Sequence, residues 1–539
     1  VKPQLRAVPA AAPNHHALAR STVLVMAATL ASSLLGFGRE VVSARYYGTQ
    51  IEMDAFLAAA TIPTILFGVF NGALVSALVP IFSEYVARGD EEGAWRLGST
   101  VFNVLLVALT LLAVLGWFFA PAYVPIVAHG FGPAELETTV RMTRWLMPSV
   151  VATSLAGVLT AMLNARLRFW ASSVQGIAIN LVTIFTVLCL TERMGIFALV
   201  LGTALGLSAQ LLVQFPAVLR FRMLRPVIDL RHPGFSKIWP MLGPIVVGSA
   251  AGQIAIFFDR YFASTLSPGY ISGMNYATKL VGFPQQIFAA AIATVIFPLL
   301  ASQFASANRT GIRRSLIMGL RLVNFITIPA VCGLVALAHP MVAALFQRGE
   351  FRAPATDLCS GLLPYAASGL VGLAASIVLT RCCFACKETR LTVAISVLTV
   401  VLNLVLSIAW LGPLGARGLL LANSVSQWIQ AVLLFALVWK LVNGLDWRAV
   451  VGSALRIGFC AGVMMAALTF IAGLGEPASA TFAARAWYVV GELAIGALVF
   501  LGAARIAKVE ELGIAIRLIV AKFEERVPSP PETREVPIA

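Results

Sequence analysis

The chain has 539 residues, of which 59% are apolar and only 12% charged. That excludes a water-soluble globule, where about 45–50% and about 25% are usual. A net charge of +15 does not mark a nucleic-acid binder here, because Lys and Arg fall in short clusters between apolar runs and not along one polar face.

One crossing takes about 20 apolar residues, so the apolar content fills about fourteen membrane spans with short connectors. Residues 1–20, rich in Pro and Ala, read as a disordered cytoplasmic arm. In the first apolar segment Ala31-Ser32-Ser33 resembles a small-residue cleavage site, yet the length of the segment argues for a retained span. Hydropathy places spans near 21–46, 53–86, 98–126, 140–165, 169–191, 194–220, 238–265, 269–303, 314–338, 355–386, 391–411, 414–440, 449–474 and 482–505. The tail from 506 to 539 begins as an amphipathic helix around Glu510-Glu511-Leu512 and ends in a Pro-rich disordered stretch.

Alternate connectors carry most of the cations: Arg88 and Arg96, Arg166 and Arg168, Arg220 to Lys237, Arg309 to Arg314, Lys387 and Arg390, Lys440 and Arg448, Arg505 and Lys508. Positive charge accumulates on the cytoplasmic side, so both termini are expected there. The seven cysteines, Cys189, Cys332, Cys359, Cys382, Cys383, Cys386 and Cys460, are odd in number and lie almost entirely in apolar segments. They read as small hydrophobes in helix packing; the Cys382-Cys383-Phe384-Ala385-Cys386 run lacks a nearby His or a second pair for a metal site.

The chain repeats itself at an offset of about 219 residues. Ala77 to Phe82 answers Val295 to Leu300, Ala120-Pro121 and Gly130 answer His339-Pro340 and Gly349, and Asn180-Leu181-Val182 answers Asn403-Leu404-Val405. An even number of spans per repeat implies two lobes related by an axis along the membrane normal, with a substrate cavity between them. The expected organisation is an all-α integral membrane protein with a lobe over 21–220 and a second over 238–440. Two extra C-terminal helices follow over 449–505.

A charge in mid-membrane costs roughly 2.5–3.5 kcal/mol on insertion scales, so ionisable residues in spans are functional candidates. Here they are Arg39, Glu40, Asp54, Asp259, Arg260, Lys279 and Arg321. The repeat sets Asp259 against Glu40, and either can exchange a proton or cation; alternatively Arg39 and Arg260 merely neutralise them locally. Arg39 and Lys279 suit an anionic group in the cavity. Arg321 reads as an anchor at the cytoplasmic face. Asn180 and Asn403, polar and mid-span, suit hydrogen bonds between helices, or for Asn403 ion coordination. Pro63, Pro80, Pro284 and Pro298 should bend the second and eighth spans. No G-x-x-x-x-G-K-[ST], H-E-x-x-H or G-x-S-x-G run is present, which points to a gradient-driven transporter and not an enzyme.

The run Leu34 to Gly48, with Gly36-Phe37-Gly38-Arg39-Glu40, followed by Met53-Asp54-Ala55-Phe56, resembles the opening of MurJ (MviN) family proteins. So do Val79-Pro80-Ile81-Phe82-Ser83-Glu84-Tyr85, Leu242-Gly243-Pro244, Phe283-Pro284 and Leu345-Phe346-Gln347-Arg348-Gly349-Glu350-Phe351. The resemblance implies a fold of the MATE/polysaccharide-exporter (MOP) superfamily whose last two helices form a groove for a polyprenyl tail. It implies a flippase of the bacterial inner membrane that moves lipid II, an undecaprenyl-pyrophosphate glycolipid and peptidoglycan precursor, outward by alternating access. Its other expected partners are membrane lipids and cell-wall synthesis or division proteins, with the chain a monomer. By position, Arg39, Lys279, Asp54 and Glu40 fall to substrate binding, and Asp259 and Asn403 to coupling by Na+ or H+, with no other cofactor or metal. Where many members carry an arginine in the second helix, this chain has Leu66-Phe67-Gly68-Val69, which thins the pyrophosphate clamp. Two readings compete with a flippase: a MATE-like cation-coupled exporter of small molecules, and a membrane scaffold or receptor for cell-wall assembly.

Overall fold

The computed structural model describes residues 15–166, 168–220, 224–473 and 482–514; within some helices the backbone alone is described. Among them there are helices and no strands. Eleven helices are long and apolar enough to cross a membrane, twelve if one bent pair counts as a span. The fourteen expected crossings include α1 (His15–Tyr47) and α9 (Pro233–Ser264), which are 33 and 32 residues long but contain side chains outside the described set. Most of the N-terminal arm, and the tail beyond 514, also lie outside it.

The chain clusters into two compact units, one reaching to Gly273 and taking in Arg348–Ala355, the other comprising the remainder. In the first unit α1 is followed by α2 (Ile51–Ala59), α3 (Thr61–Ala87), α4 (Glu91–Phe118), α5 (Ala120–Val127), α6 (Pro133–Ala165), α7 (Phe169–Met194), α8 (Phe197–Arg220) and α9. The most apolar window of α6 is 78% buried, against 22% for α4 and α7. α6 is therefore the inner post of this unit, packed on α2, α3, α4 and α8. Its many hydroxyls do not make it polar at the centre. Thr143 and Thr153 donate to carbonyls one turn back, at 2.8 and 2.7 Å. Lipid is as apolar as a Leu side chain, so close packing is the main adhesive. Leu78, Phe82, Trp95, Leu97, Leu159 and Met162 form one such core, in which Met162 sits over Gly98.

The second unit comprises most of α10 (Tyr270–Pro284), then α11 (Ala290–Ala305), α12 (Arg309–Ala336), α13 (Ala338–Phe346), α14 (Ala353–Ala367) and α15 (Leu370–Ala385). It ends with α16 (Thr389–Leu414), α17 (Ala416–Leu441), α18 (Trp447–Gly473) and α19 (Phe482–Ile506). Its core joins Leu316, Leu320 and Val323 of α12 to Val378, Leu379, Cys382 and Cys383 of α15 and Leu434 and Val438 of α17. The seven cysteines are all free thiols, and among the described residues no group of three metal-ligating side chains comes together.

Several expected spans are broken. The second divides at Ala60 into α2 and α3, three residues before Pro63; Pro80 and Pro298 stay inside continuous helices. After Pro284, which has no N–H to give to the preceding turn, Gln285–Ala289 winds as a π turn before α11 resumes. The tenth span bends by 41° between α14 and α15. A broken helix at membrane depth needs its freed carbonyls paired from elsewhere. Here α17 supplies the donors: Ser424 Oγ to the Tyr365 carbonyl at 2.7 Å and Trp428 Nε1 to that of Ser368 at 2.9 Å.

Candidate functional site

The charged residues of the first unit gather where α1, α2 and α9 carry them. Arg39 Nη2 donates to Glu40 Oε1 at 2.8 Å. Adjacent helical positions do not face one another, so the Arg39 stem must bend towards its neighbour. Arg260 lies in the electrostatic field of Asp259, Asp54 and Glu40, and its Nη1 reaches the Ile271 carbonyl at 3.4 Å. Arg260 thus lies among three carboxylates, of which Glu40 is also paired with Arg39.

Asp54 is the most enclosed of the group, 1% exposed. Its Oδ2 accepts the N–H of Gly269 at 2.6 Å and its Oδ1 that of Ser272 at 2.7 Å. These are the N–H groups of the residue just before α10 and of its first turn, so a carboxylate from α2 caps a helix more than two hundred residues away in sequence. Burying an ionised carboxylate costs several kcal/mol. Two charge-assisted bonds, at about 1.5–3 kcal/mol each, together with the positive end of the α10 dipole, offset that cost.

Around this cap the backbone is drawn together at glycines. Gly269 has φ +92°, and a Cβ there would run into the Thr49 carbonyl at 2.7 Å. Gly349, at φ +61°, lies against the Arg45 carbonyl, which accepts the Glu350 N–H at 2.8 Å. Gln50 Nε2 donates to Glu350 Oε2 at 2.8 Å, and Gly130 N–H to Ser264 Oγ at 3.2 Å. The result is a polar, glycine-lined seam at the end of the unit opposite the basic connectors. Gly48, Asp54 and Gly349 belong to the motifs singled out in sequence. Gly269, Ser272 and Gln50 were missed; a glycine followed closely by Ser at a helix start was the available signal for the first two.

At the Leu66-Phe67-Gly68-Val69 stretch the structure brings α9 close. Gln253 lies so near Gly68 that a Cβ there would meet its side-chain amide. No side chain of any size fits at Gly68 without moving Gln253.

Asn180 Nδ2 donates to the Ser32 carbonyl of α1 at 3.1 Å and to Gly176 at 2.8 Å, an interhelical bond as expected. Lys279 and Asn403 belong to the second unit. Lys279 is exposed on α10 between buried Tyr276 and Leu280, and Asn403 is buried on α16, its Oδ1 accepting from Ser407 at 3.4 Å. Arg321, expected as an anchor at the cytoplasmic face, grips the chain beyond α19: its Nη2 lies 2.8 Å from Glu510 Oε2, and its Nε donates to Glu511. Glu511 also accepts from Ser453 of α18. Burial alone would raise the Glu511 carboxyl, but the hydrogen bonds from Arg321 and Ser453 prevail and hold it below the usual glutamate range.

Comparison with known proteins gives the family. The family model "Lipid II flippase MurJ" matches residues 43–489. A probable lipid II flippase MurJ of Vibrio cholerae serotype O1 is 32% identical over 431 residues, 78% of this chain and 82% of that protein. The lipid II flippase MurJ of Burkholderia cenocepacia is 28% identical over 78% of this chain and 83% of its own length. Among solved structures, a lipid II flippase MurJ in an inward closed conformation superposes with a TM-score of 0.77 at 23% identity, covering 90% of this chain and 98% of that one. An inward-facing multidrug resistance MATE transporter of the MOP superfamily gives 0.68 at 14% identity, covering 76% and 94%, a likeness of fold alone. The chain is an integral membrane transporter, not an enzyme, and it belongs to the lipid II flippase MurJ family.

Proposed function

We propose that this chain carries lipid II from the inner to the outer leaflet of the bacterial inner membrane, with both termini in the cytoplasm. The observation that supports this most strongly is the family match over residues 43–489, more than four-fifths of the chain. The seam around Asp54, Gly269 and Gly349 then lies at the outer end and closes it while the substrate enters from the cytoplasm. Arg39 and Lys279 are the proposed phosphate-binding residues, each on its own unit. Lys279 is a point charge that cannot bind a phosphate through a fork. With the second-helix arginine replaced by Leu66 to Val69, charge matters more than shape in this clamp.

Transport is driven by an ion gradient or the membrane potential. Moving one net negative charge outward against a negative interior is worth about 2.3 kcal/mol per 100 mV. Asp259, which shares the field of Arg260, is the proposed coupling group in the first unit, and Asn403 the proposed ion-coordinating residue in the second.

The test is complementation of a bacterial strain depleted of its own lipid II flippase. Growth and normal shape are expected, together with loss of the lipid II that accumulates inside depleted cells. Failure of a membrane-inserted, stably expressed chain to restore either would overturn the assignment.

A further inference from the structure

Arg141 and Arg144 stand one turn apart in the N-terminal half of α6, towards the same end of the first unit as the glycine seam. The Arg141 Cζ lies over the Phe197 ring at 4.4 Å and that of Arg144 over Trp117 at 4.8 Å, while Arg144 Nε donates to the Trp117 carbonyl at 3.1 Å. Trp145 meets Phe197 edge-on at 5.9 Å. An aromatic face positions a guanidinium without cancelling its charge.

At the basic end of the unit, Arg166 lies over Trp95 at 4.2 Å in the same manner, and there the carboxylate of Glu91 completes the arrangement. Among the described residues no carboxylate pairs with Arg141 or Arg144, not even Glu137, one turn before Arg141. The surroundings are those of a lipid boundary. Trp117, Phe118, Phe119 and Trp145 are exposed aromatics, of the kind that collects at membrane interfaces, and Leu111, Val114 and Leu115 continue an exposed apolar track down α4.

We propose that Arg141 and Arg144 bind the phosphodiester of an anionic phospholipid headgroup, in the outer leaflet for the orientation given above, with its acyl chain along α4. Residues at i and i+3 bring their Cβ atoms to about 5–6 Å, so the two guanidiniums, one stacked towards α8 and the other towards α4, flank the same face of α6, where a headgroup phosphate would lie between them. The exposed apolar track favours a lipid over free phosphate as the source.

The full-length chain, purified and returned to phosphatidylcholine vesicles, is titrated with spin-labelled phosphatidylglycerol, and the motionally restricted fraction is compared with that of spin-labelled phosphatidylcholine. Wild type should select phosphatidylglycerol. The double variant Arg141→Gln, Arg144→Gln should weaken that selection about thirtyfold, since each of the two basic residues near a surface contributes about 1 kcal/mol, and should leave phosphatidylcholine unaffected. The double variant to Lys, which keeps charge and loses the fork, should weaken it less, and it serves if the Gln pair fails to fold. Wild-type selectivity in a folded Gln pair, or in the Lys pair if only that folds, would overturn the proposal. So would displacement of the labelled lipid by inorganic phosphate as readily as by unlabelled phosphatidylglycerol.

Discussion

Asp54 holds the N–H of Gly269 at 2.6 Å while Gly269 itself keeps a left-handed backbone at φ +92°. A carboxylate that caps, and a residue that turns, are two halves of one joint: without the turn the N–H would not face α2. Asp54→Asn retains the shape but loses the charge. It should lower stability by about 1–3 kcal/mol, read as a fall in Tm of the purified chain. Gly269→Ala adds a Cβ against the Thr49 carbonyl on strained backbone and should cost a similar about 1–3 kcal/mol. Wild-type Tm for both would show that the joint carries no weight.

The proposed clamp makes a graded prediction. Lys279→Arg should support growth of the flippase-depleted strain at the wild-type level, whereas Lys279→Gln and Arg39→Gln should each reduce it. In Arg39→Gln the Glu40 carboxylate also loses its 2.8 Å partner, so that variant should be the weaker of the two Gln forms. Full rescue by the double Gln variant would remove both residues from substrate binding.

Coupling is separable from binding. Asp259→Asn should slow flipping by about tenfold or more while leaving lipid II affinity within about twofold, as expected when a charge matters only to the conformational step. Equal losses in both measurements, or none in either, would exclude Asp259 as the coupling group.

Glu511 gives the chain an acid-sensitive contact. Its carboxyl is held below its unfolded value, so the stabilisation is fully present above about pH 4.5 and is lost as pH falls through the lower folded value. Tm measured from about pH 6 downward should therefore decline more steeply in wild type than in Glu511→Gln. Arg321→Gln should remove the same pH-dependent part, because Arg321 is the charged partner of Glu511.

Much of the framework was legible in the sequence because membrane insertion writes itself as long apolar runs and as basic connectors. Asp54 stood out for the same reason: an acid beside an apolar run has a cost that demands a partner. The partner was not legible. Gly269 and Ser272 lie more than two hundred residues further on, and no local period encodes which helix start faces which acid. Arg321 shows the same limit. Its position near a span end fitted an anchor, while its partners Glu510 and Glu511 lay in a segment read only for amphipathicity. Helix breaks were half legible. Pro284 announced the π turn, but Pro80 and Pro298 lie in unbroken helices, since a proline's missing donor is tolerated where neighbours or small local adjustments absorb it.

The π turn at Gln285–Ala289 holds one residue more than an α-helix needs over that stretch. Such a surplus can be handed along a helix one position at a time, and each residue it passes is rotated by about 100° about the axis. α10 and α11 therefore contain a built-in means of re-aiming side chains while the helix ends remain where they are. Sliding the surplus exchanges hydrogen bonds one for one, so a change of facing here needs no unwinding in lipid, where an unpaired backbone group would be too expensive to carry.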